Sequence, residues 1–471
     1  MQYSIVKFSE VKKLTDSLRL DAEFFQDLSI INFMNNFDLY STSELCFITD
    51  GEHGSPDWDQ NTNIKYIVAE NIKPNYILEN NFKTISLLQH TRNTRSIIQE
   101  DDVLIYSVGG RGYVSKAEKH LFPCNIPRSV AILRLLNKNI MLPEYLSLFL
   151  NSKYGAFQIQ RLQAGNVQPM LSIENIKKIN LISLTMEMQS LLSSLYNTSY
   201  ILRQKAKEQY KKAEDILLEE LGFKDYKLKH QLSYIKTFAE VQKEERLDAE
   251  YYQPKYEDII LKIKNKNYEL LSNIVNINKC IEPGSEEYQE YGIPFIRVSN
   301  LSKFGLSKNN QKYLSESFYN QHISHQPQKG DILLSKDGTV CVAYFLDSQP
   351  NKIICSGGIL RLSIKHDNVL PEYLTLLLNS IIVSSQAERD SGGALISHWL
   401  IGSIENTLIP IIDLEHQKSI CSLINSCTND RNKSKQLLEI ATKAVEMAIE
   451  QNEEIATEWI HSQLQSIDVK I

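Results

Sequence analysis

Short phrases of sequence recur about 228 residues apart along this chain of 471 residues. Phe8 to Val11 (FSEV) returns as Phe238 to Val241 (FAEV), and Arg19 to Gln26 (RLDAEFFQ) as Arg246 to Gln253 (RLDAEYYQ). Ile64 to Asn71 lines up with Ile293 to Asn300, and Asp102 to Ile105 (DVLI) with Asp331 to Leu334 (DILL). LPEYL stands at Leu142 to Leu146 and again at Leu370 to Leu374, each time followed by Asn-Ser. SIEN stands at Ser172 to Asn175 and at Ser403 to Asn406, and Gln189 matches Gln417. The matches keep their order over nearly the whole chain, which excludes chance. The sequence is a tandem duplication, and any fold must place two similar bodies. Two copies are too few for a solenoid, so each repeat reads as a domain plus a helix.

The helix is legible in both copies. From Met186 to Leu221, apolar or small residues recur at Leu195, Ser199, Leu202, Ala206, Tyr210, Ala213, Leu217 and Leu221, in steps of three or four. Gly222 follows as a stop signal. Thirty-six residues make a rod of roughly 54 Å, too long for one small core to wrap. A second stripe offers a partner: Ile420, Ile424, Cys427, Arg431, Ser434, Leu438, Ala441, Val445 and Ala448 step by four and three, the spacing of a coiled-coil seam. Arg431 and Ser434 interrupt that seam.

Ahead of each helix the signals are mixed. Ile64 to Val68 and Ile293 to Val298 are rich in strand formers. Val103 to Val108 and Ile332 to Ser335 read as strands running into glycine turns, Gly109-Gly110-Arg111-Gly112 and Lys336-Asp337-Gly338-Thr339. Pro143 to Asn151 and Pro371 to Asn379 read as helices with proline at the first position. Ile179 to Leu184 and Thr407 to Ile412 read as strands. Each repeat is therefore an α+β globule followed by a long helix. The boundaries fall at 1–185 for the first globule, 186–230 for the central helix and linker, 231–413 for the second globule and 414–471 for the C-terminal long helix.

Composition narrows the function by exclusion. Hydrophobic content of 42% and charged content of 23% are ordinary for a soluble protein, and a net charge of −6 gives no positive sign of nucleic acid. The opening residues lack the apolar core of a signal peptide, and no run approaches the roughly 20 apolar residues that span a bilayer. Seven dispersed cysteines without a CxxC pair point to reduced thiols in a cytoplasm. Phosphate loops, dinucleotide fingerprints, the amino-methyltransferase N/D-P-P-Y/F motif, G-x-S-x-G and H-E-x-x-H are all absent. The close pair His322 and His325 reads as surface, and Pro56-Asp57 lacks an E-x-K partner for nuclease metals. No catalytic or metal-ligating set remains, which favours a binding protein.

RLDAEYYQPKY (Arg246 to Tyr256), GDILLSKDGT (Gly330 to Thr339), LPEYL and the E-x-Q start of the last helix (Leu414 to Gln417) together resemble the specificity subunit of type I restriction-modification systems. The first half departs from the pattern, with Tyr106-Ser107-Val108-Gly109 where the second has Ser335-Lys336-Asp337-Gly338. The resemblance implies two α+β target recognition domains in tandem, separated by two long helices packed as an antiparallel coiled coil. It implies double-stranded DNA as ligand, read in the major groove, and methyltransferase subunits, two of them, docked on the helices. Motor-nuclease restriction subunits would join for DNA cleavage. S-adenosylmethionine and ATP would sit on those partners, leaving this chain without cofactor, metal or catalytic residues.

Reading DNA needs amides and cations at base edges and close backbone approach to phosphates. The glycine turns meet that need, with Ser107, Gly109, Gly110 and Arg111 in one half and Lys336, Asp337, Gly338 and Thr339 in the other. A second loop precedes each SIEN segment and adds Asn166 and Gln168, or Ser397 and His398. Asn71 and Asn300, at strand ends, complete the candidates. Taken singly each turn is an ordinary tight turn, and Asp337 an ordinary turn carboxylate. Taken as a set they read as a DNA-facing surface. RLDAE reads as structural, with Arg19/Asp21 and Arg246/Asp248 tying a segment to the helices or the globule. The competing class is a coiled-coil adaptor that does not read DNA, which would have no use for polar glycine turns in both halves.

Overall fold

The computed structural model describes residues 7–9, 11, 22–25, 28–79, 82–109, 112–165, 168–244, 246–392 and 397–471. Arg19, Asp21, Gly110, Arg111 and Asn166 lie outside them. Packing divides the chain into two units, and each draws on both repeats. One comprises Met1–Gln204 with Arg431–Ile471, the other Lys205–Asp430. Both are mixtures of helix and sheet, as the sequence predicts.

In the first unit an antiparallel sheet runs in the order Cys46–Asp50, Val130–Leu135, Val103–Tyr106, Val114–Lys116. It is apolar on both faces because it divides two cores. Val103, Ile105, Ala131 and Leu133 face one, while Leu104, Val130 and Ile132 face the other, the alternation that a pleated strand imposes. A smaller sheet joins Lys65–Tyr66 antiparallel to Lys83–Thr84 and parallel to Cys124–Asn125. Helices Pro143–Asn151 and Lys153–Leu162 complete the larger core. The recurring Asn-Ser after LPEYL has a structural use, since the Asn151 amide donates to Val114 O at 2.7 Å and accepts from Val114 N–H at 3.2 Å. The Tyr145 hydroxyl donates to Ile182 O at 2.6 Å.

The second unit repeats this plan on its own residues. Its four-stranded sheet runs Val275–Lys279, Ile359–Ile364, Ile332–Ser335, Ala343–Phe345, again antiparallel. Ile293–Ile296 pairs antiparallel with Lys312–Leu314 and parallel with Ile354–Cys355. Asn379 grips Ala343 as Asn151 grips Val114, at 2.8 and 3.0 Å, and the Tyr373 hydroxyl donates to Pro410 O at 2.7 Å. The repeated motifs are thus the joints of the frame.

Helix Met186–Leu221 ends as its glycine predicts. Gly222 takes φ +76°, Gly222 N–H reaches Glu219 O at 3.0 Å and Phe223 N–H reaches Leu218 O at 2.7 Å, a Schellman cap. Within the first unit, Leu192 and Leu195 share a core with Leu438, Ala441 and Val445. Ser434, the interruption in the seam, is buried there against Ser199, whose hydroxyl donates to Ser434 O at 2.9 Å. Within the second unit, Ala213, Leu217 and Leu221 share a core with Ile420 and Cys421. Lys205 pairs with Asp430 at 3.2 Å and Glu220 with His416 at 3.3 Å, so the two segments run antiparallel there.

One expectation needs correction. The stretch 414–471 is two helices, Leu414–Glu450 and Glu453–Ser466, rather than one. Asn452 starts the second by accepting Ile455 N–H at 2.8 Å on its side chain, and an asparagine cap of this kind favours a new helix over continuation.

Candidate nucleic-acid interface

The two loops singled out in each half come together as one structure in each unit. In the second unit the turn after Ile332–Ser335 lies beside 397–399. Gly338 N–H donates to Ser397 O at 2.8 Å, and Trp399 N–H to Lys336 O at 2.8 Å. In the first unit Gly109 N–H donates to Pro169 O at 2.6 Å, and Leu171 N–H to Ser107 O at 2.7 Å. The register is the same once the repeat offset is applied. Each second loop also closes on itself, through Ala164 with Met170 and Gly392 with His398. Gly109 and Gly338 take φ +73° and +69°, a left-handed turn in which a side chain would be strained.

A third loop joins the pair, and sequence reasoning missed it. Ser107 N–H donates to Ser129 O at 3.0 Å, and Lys336 N–H to Gly358 O at 2.9 Å. The turns at 127–129 and 356–358 carry no motif, and only the repeat offset relates them. A fourth loop backs them through the parallel bridges Glu52 to Pro127 and Ile281 to Ser356. Gly51 allows this approach, because a Cβ there would fall 2.1 Å from Ile126 O.

The frame is shared and the chemistry on it is not. In the second unit Asp337 accepts from Lys336 Nζ at 2.6 Å and pairs with His398 Nδ1 at 2.9 Å. Partial burial lifts the Asp337 carboxyl, but those two hydrogen bonds outweigh it and hold its pKa below the ordinary value. His398, Gly338 and Thr339 are exposed, while Ser397 is half-buried. In the first unit the matching positions are Ser107, buried, Val108, half-buried, and Met170, exposed. Gln168 is exposed beside Gly109. One unit therefore offers charged and polar groups where the other offers a thioether and an amide.

Asn71 and Asn300 are not part of these loops. Both are buried, and their amides serve their own turns: Asn71 accepts from Val68 N–H and donates to Leu78 O, Asn300 accepts from Arg297 N–H and donates to Ser307 O and Asn309 O. Their recurrence reflects turn construction. Arg246 clasps Asp248 through two hydrogen bonds of 2.8 and 2.7 Å and reaches Asp390 O at 3.3 Å, tying its segment to the globule's helix Ile381–Asp390. Among the described residues no helix is long and apolar enough to cross a membrane.

What this geometry defines is a sheet-borne loop cluster, built twice on one frame. Residues 263–442 match the family model described as the type I restriction modification DNA specificity domain. The match covers the second repeat's sheet and most of its long helix, and the specificity-subunit family it describes is the non-catalytic, DNA-recognising part of its complexes. Two solved structures are similar to it. One is a type I restriction-modification system S subunit from M. genitalium, with TM-score 0.44 and 12% identity over 88% of this chain and 96% of that one. The other is an HsdS subunit from Thermoanaerobacter tengcongensis, with TM-score 0.29 and 14% identity over 88% of this chain and 97% of that one. No curated protein matches the chain.

Proposed function

We propose that this chain reads a bipartite DNA target for a type I adenine methyltransferase and restriction complex, one unit to each half-site. The carrying observation is the loop cluster, which keeps its backbone hydrogen bonds in both units and changes its exposed side chains. A shared scaffold with divergent tips is what two readers of different sequences need, since phosphate contacts position and side chains at base edges specify. Gly109, Gln168, Lys336, Asp337, Gly338, Thr339, Ser397 and His398 belong to this surface in the proposal, with buried Ser107 joining its loops from beneath, and Gly110, Arg111 and Asn166, outside the described residues, remain candidates from sequence.

The same proposal gives the helices Met186–Leu221 and Leu414–Glu450 the role of an antiparallel coiled coil between tandem recognition domains, with methyltransferase subunits, two of them, docked on it. The heptad-like seams support that role. S-adenosylmethionine and ATP are then bound by partner subunits, and restriction follows when a motor-nuclease subunit joins. The site of action is the cytoplasm. Methylation-sensitive long-read sequencing of the host genome, with and without this gene, tests the reading. A split adenine-methylated motif that disappears on deletion is the expected result, and an unchanged methylation map overturns it.

A further inference from the structure

We propose that Arg128 is a specificity-determining residue of the first unit, its guanidinium reading a guanine edge in that unit's half-site. This rests on the DNA-reading function proposed above and adds a residue that none of the sequence motifs contains.

The backbone around Arg128 is held from both sides. Its own N–H donates to Glu52 O at 2.8 Å, and the carbonyl of the next residue, Ser129, accepts from Ser107 N–H at 3.0 Å. Gly51 packs so tightly against this turn that a Cβ would lie 2.5 Å from Pro127 O. A side chain on such a turn starts from a fixed point, as recognition requires. The side chain itself is exposed, and among the described residues its guanidinium has no hydrogen-bond or ion-pair partner. The carboxylates of the adjoining loop are already engaged. Asp50 holds His53 at 2.6 Å and Arg95 at 2.8 Å, and Glu52 accepts from Asn93 at 2.6 Å and from Gln89.

The repeat separates a structural arginine from a functional one. Residues that build the frame recur in both copies: Asn151 and Asn379, Tyr145 and Tyr373, Gln189 and Gln417. Arg128 does not recur, because its counterpart is Gly357, whose N–H donates to Glu282 at 2.8 Å. The second unit carries its cation on another loop of the cluster, at Lys336. A free, planar fork of donors on a rigid turn suits the paired O6 and N7 acceptors of guanine in the major groove.

The test uses the assembled complex and the target defined by the methylation map. Binding of wild type, Arg128→Ala and Arg128→Lys is measured on the cognate duplex and on duplexes with single base pairs replaced, across salt concentrations. Arg128→Ala is expected to lower discrimination about 5- to 150-fold at one guanine of one half-site. Discrimination in the other half-site should be unchanged, which also certifies folding. Arg128→Lys should keep the salt dependence of wild type and lose most of that discrimination. Full discrimination at every position in both variants overturns the proposal. So does a uniform loss of affinity with a salt slope lower by about one, the mark of a phosphate contact. A wild-type complex without sequence preference would instead overturn the DNA-reading function itself.

Discussion

His398 and Asp337 meet at 2.9 Å although 61 positions separate them. Their contact fastens the two loops of the second unit, and it has a pH signature. Asp337 titrates below its ordinary value in the folded state, so its stabilisation is present above the ordinary aspartate pKa, about 3.9. It is lost as pH falls through the lower folded value. Asp337→Asn should loosen the pair at neutral pH by no more than about 1 kcal/mol, since both partners are partly solvated. Hydrogen exchange at Gly338 N–H, compared between variant and wild type, checks this. Equal protection at neutral pH would show that the carboxylate does not hold the loops.

A second contact titrates in the opposite sense. His416 pairs with Asp413 at 2.7 Å and with Glu220 at 3.3 Å, within the second unit. The hydrogen bond to Asp413, with Glu220 and Glu415 adding to it, raises the histidine above its ordinary pKa. The stabilisation is therefore full below about 6.5 and disappears as pH rises through the folded value. His416→Gln should lower the urea midpoint at about pH 5.5 and leave it unchanged at about pH 9. An equal loss at both values would mean that packing, and not charge, explains the effect.

Gln417 is fully buried where its helix begins. It accepts Leu370 N–H at 2.9 Å and donates to Asn368 O and Ile412 O, each at 3.0 Å. Gln417→Leu leaves those three backbone groups unpaired at about 1–3 kcal/mol each, so a loss of at least about 3 kcal/mol is expected. Urea unfolding of a variant with Trp399 as sole tryptophan reports on this unit. Gln189→Leu should act equally on the first unit, where Gln189 makes the matching bonds to Leu142, Ile140 and Leu184. A negligible shift would mean that water or relaxation satisfies the freed groups.

The exposed tips should act on separate half-sites. His398→Ala is expected to change discrimination only in the half-site read by the second unit, and Met170→Ala only in the other, by about 1–3 kcal/mol where a base contact is lost. Binding to singly substituted duplexes measures both. Effects of either variant on both half-sites would contradict independent readers.

The frame was legible in sequence wherever the repeat preserved it. The glutamine at each helix start, the LPEYL-Asn-Ser joints and the strands into glycine turns all recur, because each performs the same backbone bonding in both units. The long helices were legible from period alone, and Ser434 fits its seam because Ser199 lies opposite it. The interface was legible as loops and not as a cluster. Asn71 and Asn300 recur for turn-building, which repetition cannot distinguish from recognition. Arg128 was not legible because its counterpart is Gly357, so the repeat does not mark it. The break at Asn452 escaped because a cap of one residue hides within a long helical pattern.

Neither repeat supplies all the residues of the unit that carries its loops. The first unit takes residues 431–471 from the second repeat, and the second takes residues 205–230 from the first. A polypeptide of one repeat would lack that share and could recover it only from a twin. Residues 231–471 expressed alone should therefore form a symmetric homodimer, detectable by its mass in solution, and a well-folded monomer would refute this. Such a twin would present the same reader twice, and so would favour a palindrome. On the proposed function, joining two unlike repeats in one chain is what would let the target be asymmetric.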